Sequence, residues 1–365
     1  KTNLTAPPSL VGSWHDNHLR SFCLNGKKKS MIALFSDPLI LGLVLLGTTL
    51  GITVGGIPGL TGTMLIALTL PFTFSMQPVE GLVLLVAMYV GAVSGGLISA
   101  TLLRMPGTPA AVMTTLDGYP MANSGRPGRA LGLGMGASLV GGIISWFALW
   151  QLSEPMADWS TKLGPFELFS LVILALALLA GVGESTRARG LLAGSLGVLV
   201  AMPGMHPATG ELRWTMEFTS MNEGFRLIPV LIGMFAIGKI LDDILGKAEK
   251  VEKVTGKDSA WIPLSDWKKH FVNLIRSSGI GTLIGILPGV GANIGSLAAY
   301  VTAKRASKNA DEFGKGSEEG IVASESANNA TVGGALIPLI ALGIPGSVIG
   351  AVLLGALIVH GLQPG

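Results

Sequence analysis

Two stretches of the chain interrupt an apolar run with Pro-Gly and resume with small, hydroxyl or amide residues: Pro58-Gly59-Leu60-Thr61-Gly62-Thr63 and Pro288-Gly289-Val290-Gly291-Ala292-Asn293. A helix broken inside an apolar layer turns free backbone N–H groups and the positive end of its dipole toward the break, which suits an anion. Glycine there lets a ligand approach the main chain. Gly59, Thr61 and Thr63, with Gly289, Gly291 and Asn293, are therefore expected to cradle a carboxylate, although Thr61, Thr63 and Asn293 would also serve as plain helix caps. A second pair of breaks, Pro106-Gly107-Thr108 and Pro345-Gly346-Ser347, again sets a hydroxyl beside a kink. Gly107, Thr108, Gly346 and Ser347 are expected to complete the cavity from its other side, with a membrane-surface loop as the alternative reading at Pro106, where Arg104 is adjacent.

Ser324-Glu325-Ser326-Ala327-Asn328-Asn329 sets an acid among hydroxyls and amides, and Glu325 and Asn328 share a helix face. Ser324, Glu325, Asn328 and Asn329 read as an ion-coupling site for Na+ or an exchangeable proton. The alternative is that Glu325 lies solvated at the membrane edge with Glu318 and Glu319. Neither Pro-Gly hairpin, nor the run 81–103, contains a lysine or arginine, so the anion site is expected to be neutral, with Arg104 the nearest cation. No catalytic constellation is visible, so no enzyme activity is expected. The five histidines lack metal-ligand spacing, Cys23 is the single cysteine, and neither a metal nor an organic cofactor is implied. Gly132, Gly134 and Gly136 read as a packing stripe, not a phosphate loop.

The elements that position these residues are transmembrane helices. Only 13% of residues are charged and the mean hydropathy is +0.59; a soluble domain carries about 25% charge. Of the 47 charged residues, 27 fall in 1–30, 241–276 and 303–320, which leaves uncharged runs at 38–79, 81–103, 130–153, 168–183, 190–210, 277–303 and 326–365. Most of these can cross a bilayer core of ~30 Å, which takes about 20 helical residues. The runs are continuous and do not alternate, which excludes a β-barrel, and a net charge of +3 with no basic-aromatic stripe argues against nucleic-acid binding. The 52 glycines and 20 prolines, many inside or beside apolar runs, fit a transporter or channel better than a passive anchor.

An internal repeat organises the chain. Gly51–Gly59 aligns with Gly281–Gly289 at an offset of 230, while Val93–Ile98 aligns with Val332–Ile337, and Met105–Thr108 with Ile344–Ser347, at an offset of 239. Matched interrupted segments point to a transporter site at the bilayer midplane. The fold class is accordingly an all-α polytopic membrane protein with two inverted repeats, re-entrant Pro-Gly hairpins and discontinuous helices. Its parts are an N-terminal extension at 1–30 outside the core, a first repeat at 31–129, connecting helices at 130–246, a cytoplasmic or interfacial segment at 247–276, and a second repeat at 277–365. Met31 is expected to lie near the native start. Basic loops at Arg126/Arg129, Arg187/Arg189 and 247–276 are assigned to the cytoplasm.

Several of these motifs occur together and in order in one known family. Val54–Leu60, Leu70–Phe74, Tyr89–Ala100, Met105–Pro109, Leu116-Asp-Gly-Tyr-Pro120 and Gly128–Gly132, with Gly285–Ala292, Glu325–Asn329 and Leu342–Ser347, resemble the large membrane subunit of the tripartite tricarboxylate transporters. The resemblance implies a multi-pass protein of the bacterial cytoplasmic (inner) membrane. It implies ion-gradient-driven uptake of di- or tricarboxylates delivered by a periplasmic solute-binding protein, together with a small four-helix membrane subunit. A channel or pore-forming subunit is the alternative from another class. Members of that family are longer, and C-terminal helices following the second repeat are expected to be missing from this sequence.

Overall fold

Proline and glycine set the ends of the helices that matter most. The computed structural model describes residues 36–160 and 258–364 without interruption, and parts of 162–256 between them. The 1–30 extension and most of the uncharged run at 168–183 lie outside the described residues.

Helix α1 (Pro38–Gly56) starts on Asp37, whose carboxylate accepts from Leu39 N–H at 2.9 Å, and stops where Ile57 turns extended before Pro58. Gly59, at φ 93°, carries the chain through the left-handed turn. Thr61 then caps α2 (Gly62–Thr69), which passes into a 3-10 turn at Leu70–Ser75 because Pro71 has no N–H to continue the ladder. Helix α3 (Pro78–Leu103) opens with a Gln77/Glu80 capping box and closes on Arg104 at φ 57°. After the Met105–Thr108 break and a short 3-10 turn come α4 (Val112–Asn123) and the long α5 (Pro127–Ser160).

Helix α6 (Arg187–Ala201) covers the start of the uncharged run at 190–210. A two-residue antiparallel ladder, β1 (Gly204–Met205) with β2 (Leu212–Arg213), is a minor exception to the all-helical reading, and α7 (Gly238–Leu245) follows.

The second half repeats the plan. Helix α8 (Leu264–Ile286) ends at the Leu287–Val290 break, where Gly289 has φ 75°, and α9 (Gly291–Ala306) resumes. Helix α10 (Glu318–Leu342) is capped by Ser317 and closed by Gly343 at φ 67°, and α11 (Val348–Val359) is capped by Ser347 across the Pro345-Gly346 break.

The repeat extends to backbone contacts. A Cβ on Gly51, Gly55 or Gly95 would strike the carbonyls of Met88, Ala92 and Ile52, respectively. In the second half Gly281, Gly285 and Gly334 stand in the same relation to the carbonyls of Ala327, Thr331 and Thr282. Each contact is its first-half counterpart moved by the same offsets of 230 and 239, so α1 packs on α3 as α8 packs on α10. The breaks follow suit: Gly107 lies against Gly55 O and Gly96, Gly346 against Gly285 O and Ala335. Small residues permit this approach in a bilayer, where close packing substitutes for a hydrophobic driving force.

Among the described residues three helices are long and apolar enough to cross a membrane: α1, α3 and the Pro127–Trp159 part of α5. Helix α10 is nearly all buried, and its central position brings Glu325 and Asn328 inside the bundle.

Candidate substrate site

The four breaks converge on one cavity of about 380 Å³. Thr61, Gly62 and Thr63 line it from the first half-helix start, Gly289, Gly291 and Asn293 from the second, Gly107 and Thr108 from the third break, and Ser347 from the fourth. Tyr89 and Val93 of α3 and Asn328 of α10 complete the wall. The volume falls in the range of small-molecule sites.

Most of the expected anion-site residues are thus brought together, and two are not on the wall. Gly59 makes the turn that precedes the cavity, and Gly346 is packed against Ala335 and the Gly285 carbonyl. Thr61 is both cap and wall, since its hydroxyl accepts from Met64 N–H at 3.1 Å while the residue faces the cavity. Ser347 likewise accepts from Gly350 N–H at 3.1 Å and lies 3.2 Å from the Tyr89 hydroxyl.

None of the lining residues is charged. Arg104 is exposed and turns its guanidinium over the Tyr119 ring, 5.6 Å from the centroid. The wall therefore offers an anion hydroxyls, two amides and backbone N–H groups, without a fixed positive charge.

The acid cluster behaves differently from the sequence expectation of one compact site. Glu325 has no exposed surface, which removes the solvated-edge alternative. Its carboxylate accepts from the Thr114 hydroxyl of α4 and, at 3.1 Å, from Ser138 of α5. Ser324 spends its hydroxyl on the Gly320 carbonyl at 2.9 Å. The Asn329 amide is held by Ser94 at 2.8 Å and by the Glu325 carbonyl at 3.3 Å. Helical spacing sends Asn328 alone of the four to the cavity wall, and its amide nitrogen and oxygen have no hydrogen-bond partner among the described residues.

Two arrangements escaped the sequence reading. Tyr89 is a wall residue that could have been found as the repeat mate of Asn328. Asp117 of α4 is buried and accepts from the N–H groups of Gly314, Gly316 and Ser317 at 2.8–2.9 Å and from the Tyr300 hydroxyl at 2.8 Å, tying α4 to the loop that launches α10. Its signal was a lone acid between Leu116 and Gly118. Beside it, Arg129 joins Glu318 at 2.6 Å and Asp266 at 2.7 Å, and His270 reaches Glu318 at 3.3 Å, pinning α5, α8 and α10 together.

Apolar helices broken at paired Pro-Gly sites around a neutral internal cavity define a helical membrane protein with an interior cavity. The chain belongs to the Tripartite tricarboxylate transporter TctA family, whose model matches residues 41–365. A curated relative, an uncharacterized 52.8 kDa protein in the TAR-I ttuC' 3' region of Agrobacterium vitis, is 34% identical over 321 residues, covering 87% of this chain and 64% of that protein. Another, an uncharacterized protein in the TAR-II ttuC' 3' region of the same organism, is 47% identical over 85 residues, 23% of this chain and 35% of that protein. The chain spans less than two thirds of the length of either relative. No solved structure matches it.

Proposed function

We propose that the chain is the membrane-embedded subunit of a secondary transporter that imports di- or tricarboxylates, driven by a Na+ or proton gradient. A periplasmic solute-binding protein delivers the substrate, and a small four-helix membrane subunit completes the assembly in the bacterial inner membrane. The family supports the class of function. The observation that carries the mechanism is that four repeat-related breaks line one uncharged cavity.

A carboxylate leaving water must exchange its hydration shell for fixed donors, and a buried permanent cation would burden the empty carrier, which has to reset across the membrane. Half-helix starts at Gly62 and Gly291 supply donors and dipole without that charge. In this reading residues 31–129 and 277–365 are inverted repeats whose broken helices re-enter from opposite faces, and 130–246 connects them. Glu325, buried against Thr114 and Ser138 behind the cavity wall, is the ion-coupling group, with Ser324 and Asn329 fixing its surroundings.

The test is uptake of labelled citrate by the assembled transporter. Combining Thr63→Ala with Asn293→Ala removes two wall groups and is expected to lower uptake roughly tenfold or more, a hydrogen bond to a charged group being worth about 1.5–3 kcal/mol. Arg104→Gln is expected to stay within about twofold, because one exposed charge on a neighbouring loop contributes little. The opposite pattern overturns the neutral-site reading in favour of Arg104. Citrate flux independent of both ion gradient and binding protein replaces the carrier with a pore.

A further inference from the structure

Wall residues at repeat-related positions pair Tyr89 with Asn328 and Thr108 with Ser347, each 239 residues apart. One cross-repeat contact is closed: the Tyr89 hydroxyl of the first half meets the Ser347 hydroxyl of the second at 3.2 Å. The repeat-related contact joins Asn328 to Thr108, and there no bond is made. The Asn328 amide nitrogen, its amide oxygen and the Thr108 hydroxyl are all buried, and none has a partner among the described residues. Asn328 has no exposed surface, and both residues line the cavity.

Buried polar atoms in a folded chain are almost always paired, and leaving them unpaired is costly. Neighbouring side chains obey this rule, since Asn329, Ser324 and Ser94 are all bonded. Three open atoms on the wall of a single cavity, at the one place where its repeat-related counterpart is satisfied, mark groups held ready for a ligand.

We infer that Asn328 and Thr108 form the recognition pole of the cavity, donating from the amide nitrogen and the hydroxyl to one carboxylate of the substrate, while the closed Tyr89–Ser347 pair makes the opposite end. This rests on the cavity being the substrate site. It moves Asn328 from the ion site to the substrate, and it makes a cavity built from two repeats bind in one orientation. The Asn328 amide oxygen remains to accept from a donor on the ligand or its escorting water.

The experiment measures citrate binding to the purified, assembled transporter in lipid nanodiscs, together with thermal unfolding of the ligand-free protein. Asn328→Leu and Thr108→Val each delete an unpaired group without cutting volume much. Each is expected to weaken citrate binding roughly tenfold or more, and to leave the ligand-free melting temperature unchanged or higher, since an unpaired buried group is lost. Tyr89→Phe deletes a satisfied hydroxyl, so it is expected to lower the melting temperature and to weaken binding by less than about threefold. If Asn328→Leu and Thr108→Val destabilise the empty protein and leave binding intact, the pair is structural and the inference is overturned. Equal losses of affinity in all three variants overturn the oriented pole but keep the cavity. No loss in any of them removes the cavity reading itself. Should Asn328→Leu fail to fold, Thr108→Val carries the same comparison.

Discussion

A carboxyl group without exposed surface, as at Glu325, accepts here from the neutral hydroxyls of Thr114 and Ser138. An ionised carboxylate so enclosed is expensive unless a cation accompanies it, and a protonated one is not. That balance is what an ion-coupled carrier uses. Glu325→Gln keeps the shape, with one oxygen to accept from a hydroxyl and an NH2 to donate to the other, but abolishes charge and titration. Uptake is expected to fall, and its dependence on Na+ or on external pH to flatten; transport assays across both gradients check this, and an unaltered profile makes Glu325 a packing residue. Asp117 is buried too, yet it is satisfied by three backbone N–H groups and Tyr300, which leaves nothing for an ion to do. Telling these two acids apart was beyond the sequence, because the partners of Asp117 on its loop lie 197 to 200 residues away. Glu325 was legible as chemistry and illegible as environment for the same reason: Thr114 and Ser138 sit on other helices.

Helix breaks were legible because Pro-Gly acts locally, whereas helix extents were not. Helix α8 runs from Leu264, although the charges at Lys268, Lys269 and Arg276 suggested that the second repeat begins at 277. One face of its first turns is buried through His270, Asn273 and Leu274 while the lysines point outward, and a reading by charge alone does not separate the faces. Likewise α2 is half the length of α9 because Pro71 stops it, a difference the matched motifs did not show. The pairing of α8 with α10 rests on backbone approach at Gly285, where a Cβ would lie 2.7 Å from the Thr331 carbonyl and 3.0 Å from Ala335 N. Neither neighbour is a side chain that can rotate away. Gly285→Leu is therefore expected to force the helices apart, with a loss of several kcal/mol in line with severe overpacking, read as a lower melting temperature and poor yield of folded protein. Gly142, which has open space where a Cβ would go, is the control: Gly142→Ala should leave the melting temperature within a few degrees.

At the scale of the whole molecule, the two halves share motif order and backbone contacts, and the remaining question is how they are oriented in the bilayer. A cavity shared between repeats of opposite orientation can open to either side when the halves exchange shapes, which is the physical basis of alternating access. Repeats of the same orientation would lack that equivalence. Charge distribution favours opposition. The last turn of α9 and the stretch after it carry Lys304, Arg305 and Lys308, matching a cytoplasmic end, while the first-half counterpart from Pro71 to Gln77 has no charge. Gln77 and Lys308 are both exposed and stand at these equivalent turns. In a Cys23→Ser background, Gln77→Cys is expected to react with a membrane-impermeant maleimide added to intact cells, and Lys308→Cys only after the cytoplasmic side is opened. Detergent-solubilised protein, in which both sites must react, controls for accessibility. Labelling of the two positions from the same side would show that the repeats are parallel, and alternating access could then not come from the internal duplication.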